Sequence, residues 1–96
     1  ANVPVEFTIG NPYPNPFNGN VQFSIYMLKK SSVSIDVIDL SGKRAKRLYK
    51  GNLSTGNHNF NWHGKDSSGN QVASGVYYIK VSGKSSEDWR PVTFVK

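Results

Sequence analysis

The chain has no cysteine in its 96 residues, which excludes disulfides and thiolate-held metal. It has no apolar run of about eighteen residues, so no segment reads as a membrane-spanning helix. It opens without Met or a signal-peptide pattern, and the expectation is a module excised from a longer protein. No capping box leads into an apolar period of about 3.6 residues, so no helix is expected. Catalytic constellations are missing as well. The six carboxylates, Glu6, Asp36, Asp39, Asp66, Glu87 and Asp88, are scattered rather than paired. His58 and His63 are five apart, in a strand and at its exit, a spacing that builds no zinc site. None of the serines sits in a nucleophile elbow, and no glycine-rich phosphate loop occurs. An enzyme is therefore not expected, and no cofactor is called for.

What is present is alternation. Val21, Phe23 and Ile25 alternate with Gln22, Ser24 and Tyr26, which predicts a half-buried strand. Lys29 to Ser32 reads as a polar turn. Val33, Ile35 and Val37 alternate again, until Ile38-Asp39-Leu40 breaks the pattern, as a bulge or a doubly covered strand would. Ser41-Gly42-Lys43 is a tight turn, followed by a basic strand from Arg44 to Lys50. Its apolar residues, Ala45 and Leu48, are three apart, which predicts irregularity. His58, Phe60 and Trp62 alternate with Asn59 and Asn61. His63 to Asn70 reads as a long hairpin loop. Tyr77, Ile79 and Val81 share one face of a further strand, and Asp88 to Val95 closes the domain. Pro91 predicts an edge position for that last strand. Val5, Phe7 and Ile9 also alternate, so residues 1–10 are either a linker or a first strand. Short strands at about ten-residue spacing predict an all-β fold, an Ig-like antiparallel β-sandwich of about seven strands. No internal repeat is evident.

The segment Asn11, Pro12, Tyr13, Pro14, Asn15, Pro16, Phe17, Asn18 stands apart. Each proline fixes φ and drives the residue before it toward extended geometry. The result is a stiff strap, with Tyr13 and Phe17 available as anchors. A plain rigid linker is the rival reading.

With the strap, three further runs make one ordered pattern. They are Val33-Ser-Ile-Asp-Val-Ile-Asp-Leu-Ser-Gly-Lys43, Gly56-Asn-His-Asn-Phe-Asn-Trp-His-Gly-Lys-Asp-Ser-Ser-Gly-Asn70 and Val72-Ala-Ser-Gly-Val-Tyr-Tyr78. This pattern resembles the Ig-like domain of flagellar hook-capping proteins. It also resembles the related C-terminal sorting domain of type IX secretion cargo, and Tyr13-Pro-Asn-Pro-Phe-Asn18 points to the second. The resemblance covers residues 11–96 as one Ig-like sorting domain, closed by basic Lys96. It implies a non-catalytic address, with the cargo domain N-terminal in the same chain. It implies a secretion translocon and a sortase as partners, passage through the periplasm, and delivery to the cell surface or medium. Residues 1–10 would then adjoin a cleavage junction. Pro91 departs from the family, which usually carries a basic or small residue there.

The pattern's residues also have plain physical readings. Gly42, Gly64, Gly69 and Gly75 fall where strands reverse. Trp62 is expected between the sheets, with a sugar-stacking platform as its rival. Tyr77 is expected inside beside it. Asp66 is expected to cap amides of its own turn; a calcium reading of Asp66 to Asn70 offers too few carboxylates.

The net charge of +6 is unevenly placed. Lys43, Arg44, Lys46, Arg47 and Lys50 crowd together, with Lys96 at the end. A solvated edge strand accounts for such a cluster. A docking patch for an acidic partner, a secretion component or an anionic lipopolysaccharide or polysaccharide, is the functional reading. Nucleic acid is not expected, because no known module matches. A monomer is expected. Two other functions remain open: a carbohydrate-binding accessory module of a secreted glycoside hydrolase, using Tyr26, Tyr49, Tyr78 and Trp89 as a row, and a structural spacer.

Overall fold

The computed structural model describes residues 6–96, so Val5 lies outside the described residues. Seven strands follow in order: β1 (Phe7–Ile9), β2 (Val21–Met27), β3 (Ser31–Ile38), β4 (Arg44–Leu53), β5 (Gly56–Trp62), β6 (Gly75–Ser82) and β7 (Glu87–Phe94). They form two antiparallel sheets, β1-β2-β5 and β4-β3-β6-β7. The predicted all-β Ig-like sandwich is the fold observed.

Alternation is what closes the two sheets on each other. Val21, Phe23, Ile25 and Met27 of β2 face Val33, Ile35 and Val37 of β3 and Ile79 and Val81 of β6, all buried. Each such side chain contributes about 1.5–3 kcal/mol on burial. Phe7 and Ile9 are buried too, and Phe7–Ile9 pairs with Ile25–Met27. Residues 6–10 are therefore part of the sandwich rather than a linker, and a boundary at residue 11 cuts off its first strand.

Two expectations need correction. His63 to Asn70 does not close a hairpin, because β5 and β6 lie in different sheets. The segment is a crossover, with only a small internal bridge between Lys65 and Gln71. The irregularity around Ala45 and Leu48 is two β-bulges in a longer strand. Ile35 pairs with Tyr49 but Asp36 with Arg47, and Val37 pairs with Lys46 but Ile38 with Arg44. Leu48 and Ala45 are the extra residues, and both pack against the core.

Glu6 is a buried carboxylate in no motif of the sequence. It accepts bonds from the Ser31 hydroxyl at 2.7 Å, the Ser85 amide at 2.7 Å and the Lys84 amide at 3.3 Å. The Ser85 amide, then the Ser31 hydroxyl, hold its carboxyl at about 2, below the 4.5 of a free Glu. A depressed carboxylate stabilises the fold above the unfolded pKa and loses that contribution as pH falls. The wild-type melting temperature should drop between about pH 4.5 and 2, and Glu6→Gln should flatten the drop. At neutral pH the substitution should cost about 2 kcal/mol, since bonds to a charged acceptor are lost. Identical melting profiles for the two proteins over that window would sink this account.

Candidate functional site

The strap is docked, and it changes sheets. On the first sheet, the Tyr13 amide donates to the Gln22 carbonyl at 2.9 Å, and the Gln22 amide returns a bond at 2.8 Å. The chain then crosses to the second sheet through Pro14, with the Tyr13–Pro14 and Asn15–Pro16 peptides both cis. There it runs parallel to the end of β7. The Phe17 amide donates to the Thr93 carbonyl at 2.9 Å, and the Val95 amide donates to the Phe17 carbonyl at 2.9 Å. Asn15 bonds through its side chain instead. Its Nδ2 donates to the Pro91 carbonyl at 3.1 Å, and its Oδ1 accepts the Thr93 amide at 2.9 Å. Pro14 and Pro16 carry no N–H, so the strap covers the β7 edge with fewer backbone donors of its own. A free linker is excluded.

Of the two expected anchors, only Phe17 serves through its side chain. It is buried, 5.5 Å from the Trp62 ring and 5.1 Å from the Phe94 ring. Pro12 is buried as well. The Tyr13 ring is 62% exposed, so Tyr13 anchors by its backbone alone. Asn11, Pro14, Asn15, Pro16 and Asn18 are exposed.

The other sequence motifs converge on the same aromatic cluster. Trp62 ends β5 with its ring edge-on to Tyr77, 5.2 Å away, and its Nε1 donates to the Lys65 carbonyl. At 1% exposure it is core, so it offers no platform to a sugar. The Tyr77 hydroxyl donates to the Ala73 carbonyl at 2.7 Å. Burial, then the nearby Asp39 carboxylate, push the Tyr77 phenol up. Gly64 lies beneath Phe94: a Cβ there would sit 2.8 Å from the ring, and its φ is +71°. Only glycine meets both demands. The strap, Trp62-x-Gly64, Ala73-Ser-Gly75-Val-Tyr77 and the chain end are thus one structural unit.

Asp66 caps its turn as expected, with Oδ1 accepting the Ser68 and Asn70 amides at 2.9 and 3.0 Å. Asp39 does the same for Ser41 and Lys43, at 2.9 and 3.0 Å. The Ser41 hydroxyl is the main cause of its lowered pKa. In both loops a glycine with positive φ, Gly42 or Gly69, donates its amide back to the aspartate carbonyl at 3.0 Å. Asp-x-Ser-Gly-x is therefore an internal repeat of five residues, short enough to escape a search for longer periods.

The basic cluster is less free than its sequence suggests. Asp36 is buried, with Arg47 Nε 2.9 Å and Arg44 Nη1 3.9 Å from its Oδ1. Arg47 holds a buried charge, and its reversal would leave two carboxylates together. Arg47 is exposed, but its guanidinium is committed to Asp36; Lys43 and Lys50 are exposed and Lys46 is half-buried. Lys96 leaves the opposite edge of the second sheet from β4, so it does not extend the cluster. The proposed aromatic row is also dispersed. Tyr26 is on the first sheet, Tyr49 packs on Phe60, and only Tyr78 and Trp89 meet, at 6.0 Å.

The surface that joins the strap to the chain end is a shallow hollow of about 420 Å³, lined by Pro14, Pro16, Phe17, Asn18 and Val95. Val95 is 47% exposed in it, and the Lys96 amide donates to the Ser74 hydroxyl at 3.0 Å beside it.

A family model for the FlgD Ig-like domain matches residues 11–87. The chain belongs to that family. The family's domain is a structural module without catalysis of its own. Among solved structures, dimeric latent PorU from Porphyromonas gingivalis superposes with a TM-score of 0.72 at 13% identity, over 99% of this chain and 10% of that one. FlgD from Xanthomonas campestris, described for hook capping in flagellar assembly, gives 0.62 at 19% identity, over 92% of this chain and 66% of that one. The alkylpurine DNA glycosylase AlkC from Pseudomonas fluorescens gives 0.50 at 14% identity, over 95% of this chain and 31% of that one. The chain thus spans a tenth of the PorU chain and just under two thirds of the FlgD chain. At these identities the likeness is one of fold. No curated protein matches the chain in sequence.

Proposed function

We propose that this Ig-like module is the address of an exported bacterial protein, a sorting domain read by type IX secretion. The observation that carries the reading is the hollow between strap and chain end. The strap and the closing residues are the two features that tie the sequence to sorting domains, and they lie 76 or more positions apart. Here they meet on one rigid surface, held by the Phe17–Thr93 and Val95–Phe17 bonds. A translocon then reads a folded shape, which a linear tail would not provide. By the same resemblance, the cargo lies N-terminal, the domain passes through the periplasm, and a sortase releases it at the cell surface. Lys43, Lys46 and Lys50 remain candidates for contact with a secretion component or an anionic lipopolysaccharide.

The test is export. The whole chain, fused behind a reporter with an N-terminal export signal, should carry it across the outer membrane in a host with type IX secretion. Val95→Asp together with deletion of Lys96 places charge in the hollow and leaves the core untouched. Most of that reporter should stay in the periplasm while its melting temperature is unchanged. Periplasmic retention of the unmodified fusion, or equal export of both, would overturn the reading and leave a structural spacer.

A further inference from the structure

The outer face of the three-stranded sheet differs chemically from the rest of the molecule. By register, Tyr13 lies beside Gln22, Gln22 beside Asn61, Ser24 beside Asn59, and Tyr26 beside Asn57. All are uncharged, in a chain of net charge +6. The lysines and arginines lie instead on the four-stranded sheet, in the loops and at the chain end. Tyr13 and Tyr26 hold their rings 62% and 46% exposed on this face, and neither ring is needed by the core. Beside Tyr13 is a cavity of about 160 Å³ whose polar lining is Gln22, Ser24, Asn59 and Asn61.

Each amide presents two donors and an acceptor without a charge, which suits adjacent hydroxyls. Each tyrosine presents an apolar ring with a polar tip, which suits the C–H face of a pyranose. A few convergent polar groups in a concavity beside an aromatic wall are the usual makings of a small-molecule site. Tyr26 lies four residues along β2 from Gln22, so the backbone positions that carry Tyr13 and Tyr26 are separated by about 13 Å along the strand. That span fits several linked sugars better than one. A charged partner would find its complement on the other sheet, and an apolar partner would find only two rings here.

We propose that this face binds a neutral oligosaccharide, with Tyr13 and Tyr26 stacking on sugar rings and Gln22, Asn59 and Asn61 bonding hydroxyls beside them. The proposal stands apart from the address reading: it uses the other sheet and is scored by sugar binding rather than export.

The whole isotope-labelled chain should be titrated with cello-, xylo-, laminari- and manno-oligosaccharides and followed by amide NMR. At least one should shift the side-chain amides of Gln22, Asn59 and Asn61. Tyr13→Ala and Asn61→Ala should each weaken that binding by about tenfold or more, with unchanged melting temperature. Lys30→Ala, at an exposed lysine outside this face, should bind as the unmodified chain does. No shift with any sugar at millimolar concentration overturns the proposal. So do shifts centred on Tyr78 and Trp89, or shifts of this face that follow protein concentration without sugar, which would make it a contact between copies.

Discussion

Trp62→Ala should destabilise the domain by about 3–5 kcal/mol, the range for removing a large buried aromatic. The ring is 1% exposed and stands within 5.2–6.4 Å of Tyr77, Phe17 and Phe94. Its loss would open a cavity bounded by both sheets and the strap, which cannot collapse without undocking the strap. The Lys65 carbonyl would also lose its donor. A domain of this size has roughly 5–15 kcal/mol in all, so the variant should be partly unfolded near 37 °C. Trp62→Phe separates the two losses. It keeps an aromatic ring but not the Nε1 bond, and should recover more than half of the stability. Urea denaturation followed by circular dichroism measures both. A loss under about 1 kcal/mol for Trp62→Ala would mean that the aromatic cluster does not hold this end together.

Much of this architecture was legible in the sequence because its strands have one wet face and one dry face. Val21, Phe23 and Ile25 alternate cleanly, as do Tyr77, Ile79 and Val81, and β2 and β6 stand where that alternation predicts strands. The pairing of sheets was not legible. Nothing local in His63 to Asn70 distinguishes a hairpin from a crossover, since Gly-rich turns serve both. The bulges at Ala45 and Leu48 showed only as broken alternation. Their register, which sets Arg47 opposite Asp36, exists only once β3 and β4 have paired. Glu6 was invisible because its partners, Ser31, Lys84 and Ser85, are 25 to 79 positions away. Asp39 was within reach. Its Asp-x-Ser-Gly spelling matches that of Asp66, and a comparison of turn sequences alone would have found the second capped loop.

Phe17→Ala should cost about 3 kcal/mol or more, since a buried phenylalanine is removed from between two rings. Its consequence should also be local in a way that Trp62→Ala is not. Phe17 is the single buried side chain between Pro14 and Gly19, so its ring is what presses the strap onto β7. Without it residues 14–19 retain only the exposed Asn15 bonds and two backbone bonds to the end of β7, while Tyr13 stays paired with Gln22 on the first sheet. Such bonds are worth roughly 0.5–1.5 kcal/mol each, too little to hold six ordered residues against their entropy. The strap should then detach before the sandwich unfolds. Hydrogen exchange reports this directly: the Phe17 and Val95 amides should lose protection, while Ile25 and Ile79 keep theirs down to the global limit. Tyr13→Ala is the control, because the exposed Tyr13 ring should be worth less than about 0.5 kcal/mol. Unchanged exchange at Val95 in Phe17→Ala would show that the prolines alone hold the strap. Equal loss of protection at Val95 and Ile79 would show that strap and sandwich are one cooperative unit. If the strap detaches alone, the same variant also probes export, since it removes the hollow and leaves the sheets folded.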